Sequence, residues 1–296
     1  MSGFGSASSG YDFVRAPVSC RAAVVSAVGY RTVDPTPTIH RGLPSPSLTF
    51  VLSLDDQPIV TGWSPEQASS DRAHRDLAVV GGLHTSPAYI AQPVTQLGIQ
   101  LAIRPLATRA LFGVPASELD PLANGGEDVL GSSLRRLREQ LIELPNWTRR
   151  FEALTSFVRS RLADAPERNQ PRPEVTEAWR WIARHRGTGS IAGLARHVAL
   201  SPRQLNSVFR AELGMGPKSV ASLMRFEHAR QLLSELVRTG ARLDIATIAH
   251  AAGFYDHSHL VRDFQRYTGQ SPSVWLAETR RIIQAGGQQV GEDWTS

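Results

Sequence analysis

Cysteine and long apolar runs are nearly absent from this sequence of 296 residues. The one cysteine, Cys20, excludes a disulfide framework and any zinc site that needs several cysteines. No apolar run approaches the roughly 18 residues that a membrane-spanning helix needs. The first 14 residues contain no basic residue and no apolar core, so we expect neither a secretory signal nor membrane contact. These absences predict a cytoplasmic protein.

The overall composition is that of an ordinary globular protein. Hydrophobic residues make up 41% of the chain and charged residues 20%, which argues against a wholly disordered protein. The length is about twice that of a common single domain, so we expect two domains. Each would be long enough to bury a core of its own.

The net charge of +5 is unevenly distributed along the chain. Residues 171–281 contain 16 Lys and Arg against 9 Asp and Glu, whereas residues 1–170 contain 16 of each. The whole positive excess therefore lies in the C-terminal third, as expected for a region that meets a polyanion.

The front region, residues 11–104, has the pattern of short β-strands. Residues 47–54 form a β-type run, and in residues 97–103 apolar positions alternate with small or polar ones, the period of a half-buried strand. Frequent Pro and Gly separate these runs by turns. The pattern predicts a small cupin-like barrel or a sandwich, which the sequence alone does not distinguish. Residues 1–10, rich in Ser and Gly, are predicted to be a flexible tail.

Helical periodicity begins after residue 105. Leucines four and three residues apart predict one amphipathic helix near 132–144, with Ser132 or Ser133 as its N-cap, and a second follows at about 146–164. Residues 165–173 contain three prolines and are predicted to be a linker. We assign residues 11–164 to a front domain and 174–284 to an all-helical domain, with a frayed end at 285–296. The expected fold class is α+β.

An internal repeat with an offset of 54–55 residues is the most specific signal in the sequence. Each copy predicts a short helix with a small Ala, a tight turn, and a second helix that buries a Leu and a Phe four residues apart. Ser201 and Asp256 are placed to cap the second helices, Pro202 suits a first turn, and Gly253 suits a left-handed turn residue. The first copy is marked by Ile191, Leu194, Ala195, Val198, Leu205, Phe209, Gly214 and Pro217, the second by Ile245, Ile248, Ala249, Ala252, Leu260, Phe264, Gly269 and Pro272.

The repeat, the connecting segment 217–233 and the closing segment 253–272 resemble the DNA-binding domain of the AraC/XylS family of transcription regulators. The resemblance covers about 174–280, and a shorter one at 111–119 links the front region to actinobacterial members. It implies two helix-turn-helix units held by a long helix at about 218–236, with both recognition helices in successive major-groove segments, about 34 Å apart.

The resemblance also implies which side chains meet DNA. Arg can bridge guanine O6 and N7, Gln or Asn can bridge adenine N6 and N7, and Val can touch a thymine methyl group. The base-facing set is Arg203, Gln204, Asn206 and Ser207 in the first unit and His257, Ser258, His259, Val261 and Arg262 in the second. The phosphate-binding set is Ser201, Arg210, Lys218 and Arg266.

Double-stranded DNA is the implied partner, with RNA polymerase, a small-molecule effector of the front domain and a second copy of the chain as further candidates. No cofactor or metal is expected. A metal cluster of His250, Asp256, His257 and His259 is disfavoured because Asp256 suits a cap and adjacent helical positions do not converge on one ion.

Three other functions fit the sequence less well. A DNA-repair methyltransferase fused to such a domain needs several cysteines, which Cys20 alone does not supply. A protein that binds DNA by charge alone is disfavoured by the modest net charge and by the whole front domain. An enzymatic front domain is the alternative function. Asp76, His84 and Ser86 are the residue types of a catalytic triad, but no nucleophile elbow, P-loop or zinc motif accompanies them, so no enzyme is expected.

Overall fold

The computed structural model describes residues 10–16, 20–34, 36–166, 169–239 and 244–284. These residues form ten β-strands followed by, and interspersed with, twelve α-helices. The strands are β1 (Gly10–Arg15), β2 (Val24–Val33), β3 (Thr38–Gly42), β4 (Leu48–Ser53), β5 (Ile59–Gly62), β6 (His74–Asp76), β7 (Ala78–Gly81), β8 (Ala88–Gln92), β9 (Thr95–Ile103) and β10 (Asn124–Gly125). The helices are α1 (Pro65–Ala68), α2 (Thr108–Phe112), α3 (Gly126–Leu130), α4 (Ser132–Glu143), α5 (Trp147–Ala163), α6 (Pro173–Arg184), α7 (Ile191–His197), α8 (Pro202–Leu213), α9 (Pro217–Thr239), α10 (Ile245–Ala251), α11 (His257–Thr268) and α12 (Pro272–Gln284).

The front region contains two antiparallel sheets. The larger has the strand order β1-β2-β9-β4-β7-β10 and the smaller has the order β3-β8-β5-β6. Alternate side chains of the larger sheet face opposite ways, as the period of a strand requires. In β4, Leu48, Phe50 and Leu52 join the apolar core, while Thr49 and Val51 line a cavity beside the smaller sheet. One face of the larger sheet, the structural face, therefore packs in the apolar core, and the other face lines the cavity.

Helices α3, α4 and α5 cover the structural face. The leucine stripe of α4 (Leu134, Leu137 and Leu141) and the stripe of α5 (Phe151, Leu154 and Val158) are buried in this core. These stripes are consequently not free to pair with a second copy of the chain, as the sequence alone had allowed.

The predicted N-cap of α4 is wrong. The helix begins at Ser132, so Ser132 and Ser133 lie inside it and Gly131 is its N-cap, without a side-chain capping bond. The Ser133 hydroxyl instead donates to the Leu130 carbonyl at 2.7 Å. Two neighbouring serines do not identify which residue starts the helix. The preceding helix α3 already fixes the direction in which the chain enters α4.

Helices α6 to α12 form the C-terminal half around the 23-residue helix α9. The N-terminal part of α9 contributes Val220 and Met224 to the same apolar core as the sheet and α4–α8. Its C-terminal part contributes Phe226 and Leu233 to a second core with α10–α12. The predicted fold class is confirmed: a β-rich front region with two trailing helices, then two helical units joined by a long helix.

Several expectations concern the edges of these regions. Gly10 is the first residue of β1, while residues 1–9 of the predicted tail and the predicted frayed end at 285–296 lie outside the described residues. In the predicted linker, the Asn169 side chain donates to the Arg109 carbonyl at 3.2 Å. Across the described residues, none of the helices combines the length and apolar character needed to cross a bilayer.

Candidate nucleic-acid interface

The first helix-turn-helix unit consists of α7, a tight turn and α8. Ser190 caps α7 and Ser201 caps α8 by accepting from the Gln204 backbone N–H at 3.3 Å. The Gln204 side-chain oxygen returns the bond by accepting from the Ser201 N–H at 2.9 Å, which completes a capping box. The turn places Ala199 at φ +54°, a left-handed conformation that the sequence did not predict for a residue with a Cβ.

Helix α8 is amphipathic in the predicted sense. Leu205 and Phe209 are both fully buried, which anchors the helix on α6, α7 and α9. Its opposite face is exposed to solvent and polar. The exposed predicted residues of the first unit are Ser201, Arg203, Gln204, Asn206, Ser207 and Arg210. Lys218 is exposed one residue inside the start of α9.

The second unit consists of α10, its turn and α11. Gly253 adopts φ +79°, as predicted, and the Asp256 carboxylate caps α11 by accepting from the His259 N–H at 2.7 Å. Leu260 and Phe264 are fully buried at the same relative positions as the anchors of α8. The structure thus repeats both the anchoring and the capping of the first unit.

The outward face of α11 is less uniform. His257, Ser258, Arg262 and Arg266 are exposed, whereas His259 and Val261 are half-buried. The His259 ring meets the edge of the Phe254 ring at a centroid distance of 5.2 Å and lies 3.8 Å from the Asp263 carboxylate. Part of this imidazole therefore stabilises the turn.

Two predicted base-contacting residues of α8 already have structural partners. The Gln204 side-chain oxygen is used in the capping box, which leaves its NH₂ group to donate outward. The Asn206 side-chain oxygen lies against Gly216, where an added Cβ would come within 2.4 Å of it. Adenine recognition through both the oxygen and the nitrogen of the Gln204 amide requires its bonds to Ser201 to be released.

The two units also contact each other directly. Thr188, in the turn between α6 and α7, lies so close to Gly253 that a Cβ there would approach its methyl group to 2.1 Å. The Arg225 guanidinium of α9 lies over the Phe254 ring, 5.5 Å from its centroid. Beneath it, the Phe226 ring contacts the rings of Phe264 and Tyr267. The relative orientation of the units is therefore set by packing as well as by α9.

The structure places the residues of the two disfavoured arrangements, the metal cluster and the catalytic triad. Among the residues that the structure describes, no group of three or more His, Cys, Asp or Glu side chains is arranged to hold a metal. In the front region, the His84 Nδ1 atom lies 2.6 Å from the Ser86 backbone carbonyl, and the Asp76 carboxylate accepts from the Ala78 N–H. Asp76, His84 and Ser86 therefore do not act as a triad.

A cavity of about 170 Å³ between the two sheets is the feature that sequence reasoning missed. Residues from both sheets line it, and Glu227 and Arg230 of α9 close one side. These two side chains are buried and hydrogen-bonded to each other at 2.9 and 3.0 Å. No local signal indicates the cavity, because its lining comes from seven strands and a helix more than a hundred residues later.

Besides the Glu227–Arg230 ion pair, the lining of the cavity contains imidazole and phenol groups whose neutral forms are favoured by burial. Burial lowers the pKa of His40 to about 4, with Arg41 acting in the same direction and Glu278 opposing it. Burial also lowers the pKa of His84, against its bond to Ser86, and raises that of Tyr30. The Thr61 hydroxyl is buried and has no hydrogen-bond partner among the described residues.

Comparison with known proteins covers mainly the C-terminal half. Residues 194–278 match the family described as "Helix-turn-helix domain". The arabinose operon regulatory protein of Escherichia coli K12 is 37% identical over 105 residues, which are 35% of this chain and 34% of that protein. The HTH-type transcriptional regulator GlxA of Rhizobium meliloti is 35% identical over 79 residues, 27% of this chain and 23% of that protein. The chain thus spans about a third or less of the length of these relatives.

One solved structure, ToxT from Vibrio cholerae, aligns over 85% of this chain and 96% of its own, with 13% identity and a TM-score of 0.47. The sequence matches carry the assignment. The family match at 194–278 covers most of both helix-turn-helix units and the helix between them, as the resemblance implied. Residues 194–278 therefore form a helix-turn-helix domain in which the structure shows two units joined by α9.

Proposed function

We propose that this chain is a sequence-specific DNA-binding transcription regulator whose helices α8 and α11 bind successive segments of the major groove. The observation that carries the proposal is the repeated amphipathic helix: each is anchored by a buried Leu and Phe and presents an exposed polar face. A recognition helix needs this arrangement, because one side must be fixed while the other contacts base edges.

Arg203 and Arg262 are the proposed principal base contacts. Both are exposed on the polar faces of the two helices, Arg203 in the first turn of α8 and Arg262 in the second turn of α11. The Arg262 Nε donates to the Ser258 carbonyl of its own helix at 3.3 Å. Arg210, Lys218 and Arg266, with the capped start of α8 at Ser201, supply phosphate contacts that position the helices.

Selection on a randomised duplex tests this function. Wild-type protein should enrich a bipartite site, and Arg203→Ala and Arg262→Ala should each cost about 1–3 kcal/mol with relaxed preference in one half of it. Arg159→Ala is the matched control, because Arg159 is exposed on α5 of the front domain. Unchanged base preference in both Arg203→Ala and Arg262→Ala would contradict the assignment of α8 and α11 as recognition helices.

The front domain, residues 11–164, is proposed to bind a small effector in the cavity between its sheets. Neutral imidazoles, a neutral phenol and an internally paired Glu227–Arg230 wall favour an uncharged molecule with both polar and apolar groups. The orphaned Thr61 hydroxyl supports this, because a buried hydroxyl without a partner costs stability that a ligand can restore.

Thr61→Val tests the effector site, since it keeps the side-chain shape and removes the hydroxyl. We expect it to leave the empty protein as stable or more so, and to reduce the melting-temperature shift produced by neutral sugars or aromatic alcohols that bind wild type. Thr108→Val is the matched control: the buried Thr108 hydroxyl donates to the Pro105 carbonyl at 2.9 Å, so its loss should destabilise by about 1 kcal/mol. Equal ligand shifts in wild type and Thr61→Val would exclude this site.

Self-association and contact with RNA polymerase remain part of the proposal. The stripes of α4 and α5 are buried within the chain, so a dimer has to use another surface. Light scattering across a concentration series, with and without the selected duplex, measures the oligomeric state. A strictly monomeric chain in both conditions would remove the dimer.

A further inference from the structure

The front region forms an ion pair and a hydrogen bond with the first helix-turn-helix unit at the C-terminal end of α8. We define the α8 joint as Arg109 and Ser117 of the front region with Ala211 and Glu212 of α8. The Arg109 Nε donates to both carboxylate oxygens of Glu212, each at 2.9 Å. The Ser117 hydroxyl donates to the Ala211 carbonyl at 2.7 Å. Both contacts link residues about 100 positions apart in the sequence.

The ion pair in this joint is well shielded from water. The Glu212 side chain is 5% exposed and the Arg109 side chain 29%. Removing one member of a buried pair leaves an uncompensated charge, so the two residues depend on each other. The segment that carries Arg109 is itself fixed, because the Arg161 guanidinium of α5 donates to the Leu111 carbonyl at 2.7 and 2.9 Å.

Among the described residues, α11 makes no such joint with the front region, although the repeat provides the equivalent positions. Tyr267 stands where Glu212 stands in α8, and it packs on Phe226 of its own unit with ring centroids 4.7 Å apart. Gly214 and Gly269 both end their helices at φ +75°. A Cβ on Gly214 would lie 3.4 Å from Ser117, whereas one on Gly269 would meet nothing within 4 Å. The acidic residue of α8 thus serves a contact that only the first unit makes.

We propose that the front domain orients the first recognition helix through the α8 joint, so that the joint tunes DNA recognition by α8 and leaves α11 unaffected. Arg109 and Glu212 are positioning residues: they lie at the end of α8 away from Arg203 and contact no base. The inference rests on the proposed DNA-binding function. It makes the first unit the one that responds to the state of the front domain.

Charge reversal in the full-length chain tests the joint. Variants Arg109→Glu, Glu212→Arg and the double swap are compared on the selected duplex and on duplexes with either half scrambled. Each single reversal should reduce discrimination at the half assigned to Arg203 about tenfold, leave the Arg262 half unchanged, and be rescued by the double swap. Arg109→Ala, at the less buried position, serves if Glu212→Arg does not fold.

Matched controls come from two exposed ion pairs. Arg135→Glu disrupts the pair with Glu127 in the front domain, and Glu235→Arg disrupts the pair with Arg238 on α9, with the same changes in net charge. Both should bind like wild type. Equal losses in controls and joint variants, or equal losses at both halves of the site, would overturn the inference.

Hydrogen exchange without DNA separates the two hypotheses. Joint variants should speed exchange in residues 205–214 and leave residues 260–269 unchanged, with recovery in the double swap. If wild-type protein shows no sequence preference, the proposed function fails while the exchange result still decides whether the joint holds α8. Unchanged exchange in both helices, with wild-type DNA binding intact, would refute the joint alone.

Discussion

The two helix-turn-helix units are alike where they face solvent and different where they face the protein. Each recognition helix has a capped start, a Leu and a Phe anchor, and a glycine end. The first unit, however, shares one continuous core with the front sheets, while the second packs with the end of α9 in a separate core. Among the described hydrophobic residues of the front region, Leu43 packs against this second core. The two units therefore share the same helix geometry, while their inner surfaces pack against different parts of the chain.

The two units are therefore held in place by different contacts. The first is attached to the front domain by apolar packing and by the α8 joint. The second is stabilised mainly by aromatic contacts among Phe226, Phe264, Tyr267 and Trp275. We therefore propose that a signal from the front domain reaches the first unit directly and the second through α9, whose Glu227 and Arg230 border the cavity.

The largest expected effects come from the anchors. Phe209→Ala and Phe264→Ala should each cost about 3–5 kcal/mol, because both side chains are fully buried. Phe209→Ala should lower hydrogen-exchange protection in the front sheets as well as in α8, whereas Phe264→Ala should lower it in residues 244–276 and in the part of α9 that packs on them, but not in the front sheets. A normal melting curve for either variant would mean that the buried face of that helix is misassigned.

The effect of Glu212→Gln on stability should differ in sign between the full chain and residues 171–296 alone. In the full chain it weakens a buried ion pair and should destabilise by about 2 kcal/mol. In residues 171–296 alone, where Arg109 is absent, the same change should be neutral or stabilising, because it removes a carboxylate without its partner. Urea unfolding of the four proteins measures this. An equal cost in both contexts would show that Glu212 is held within its own unit.

The caps offer a smaller and more symmetrical test. Ser201→Ala and Asp256→Ala each remove a side-chain bond to the start of a recognition helix and should each cost about 1 kcal/mol. Ser201→Ala also removes the hydroxyl that donates to the Gln204 side-chain oxygen at 2.8 Å and leaves the backbone N–H as its partner, so it should alter adenine preference in the first half of the site. Thermal melting with binding selection separates the two effects, and identical selected sites would assign Gln204 a capping role alone.

The smallest expected effect concerns pH. The pKa of His40 is lowered to about 4, from an unfolded value near 6.5, so the unfolded chain binds this proton more readily. His40 therefore does not reduce the free energy of unfolding above pH 6.5. As the pH falls from 6.5 towards 4, the free energy of unfolding decreases. His40→Gln should flatten that part of the stability curve by about 1 kcal/mol, less than the full linkage value because the ring is half-buried. Melting temperatures at pH 4–7 measure it, and an unchanged slope would contradict the shift.

Local signals in the sequence were sufficient for the DNA-facing parts of the molecule. Ser201, Asp256 and Gly253 occupy their predicted roles, and the Leu–Phe spacing identified the buried face of both recognition helices. Capping bonds and helical periodicity act within four residues, so the sequence contains them directly. The same locality explains the error at Ser132 and Ser133, where two adjacent candidates competed.

Tertiary structure alone decided how the regions meet. The sequence determined two helix-turn-helix units and a β-rich front region. It did not determine the strand order, the burial of the α4 and α5 stripes within the chain, the cavity closed by α9, or the pairing of Arg109 with Glu212. Each of these depends on side chains about 50 or more residues apart, whose contact is fixed by the packing of whole elements and has no counterpart in local propensity.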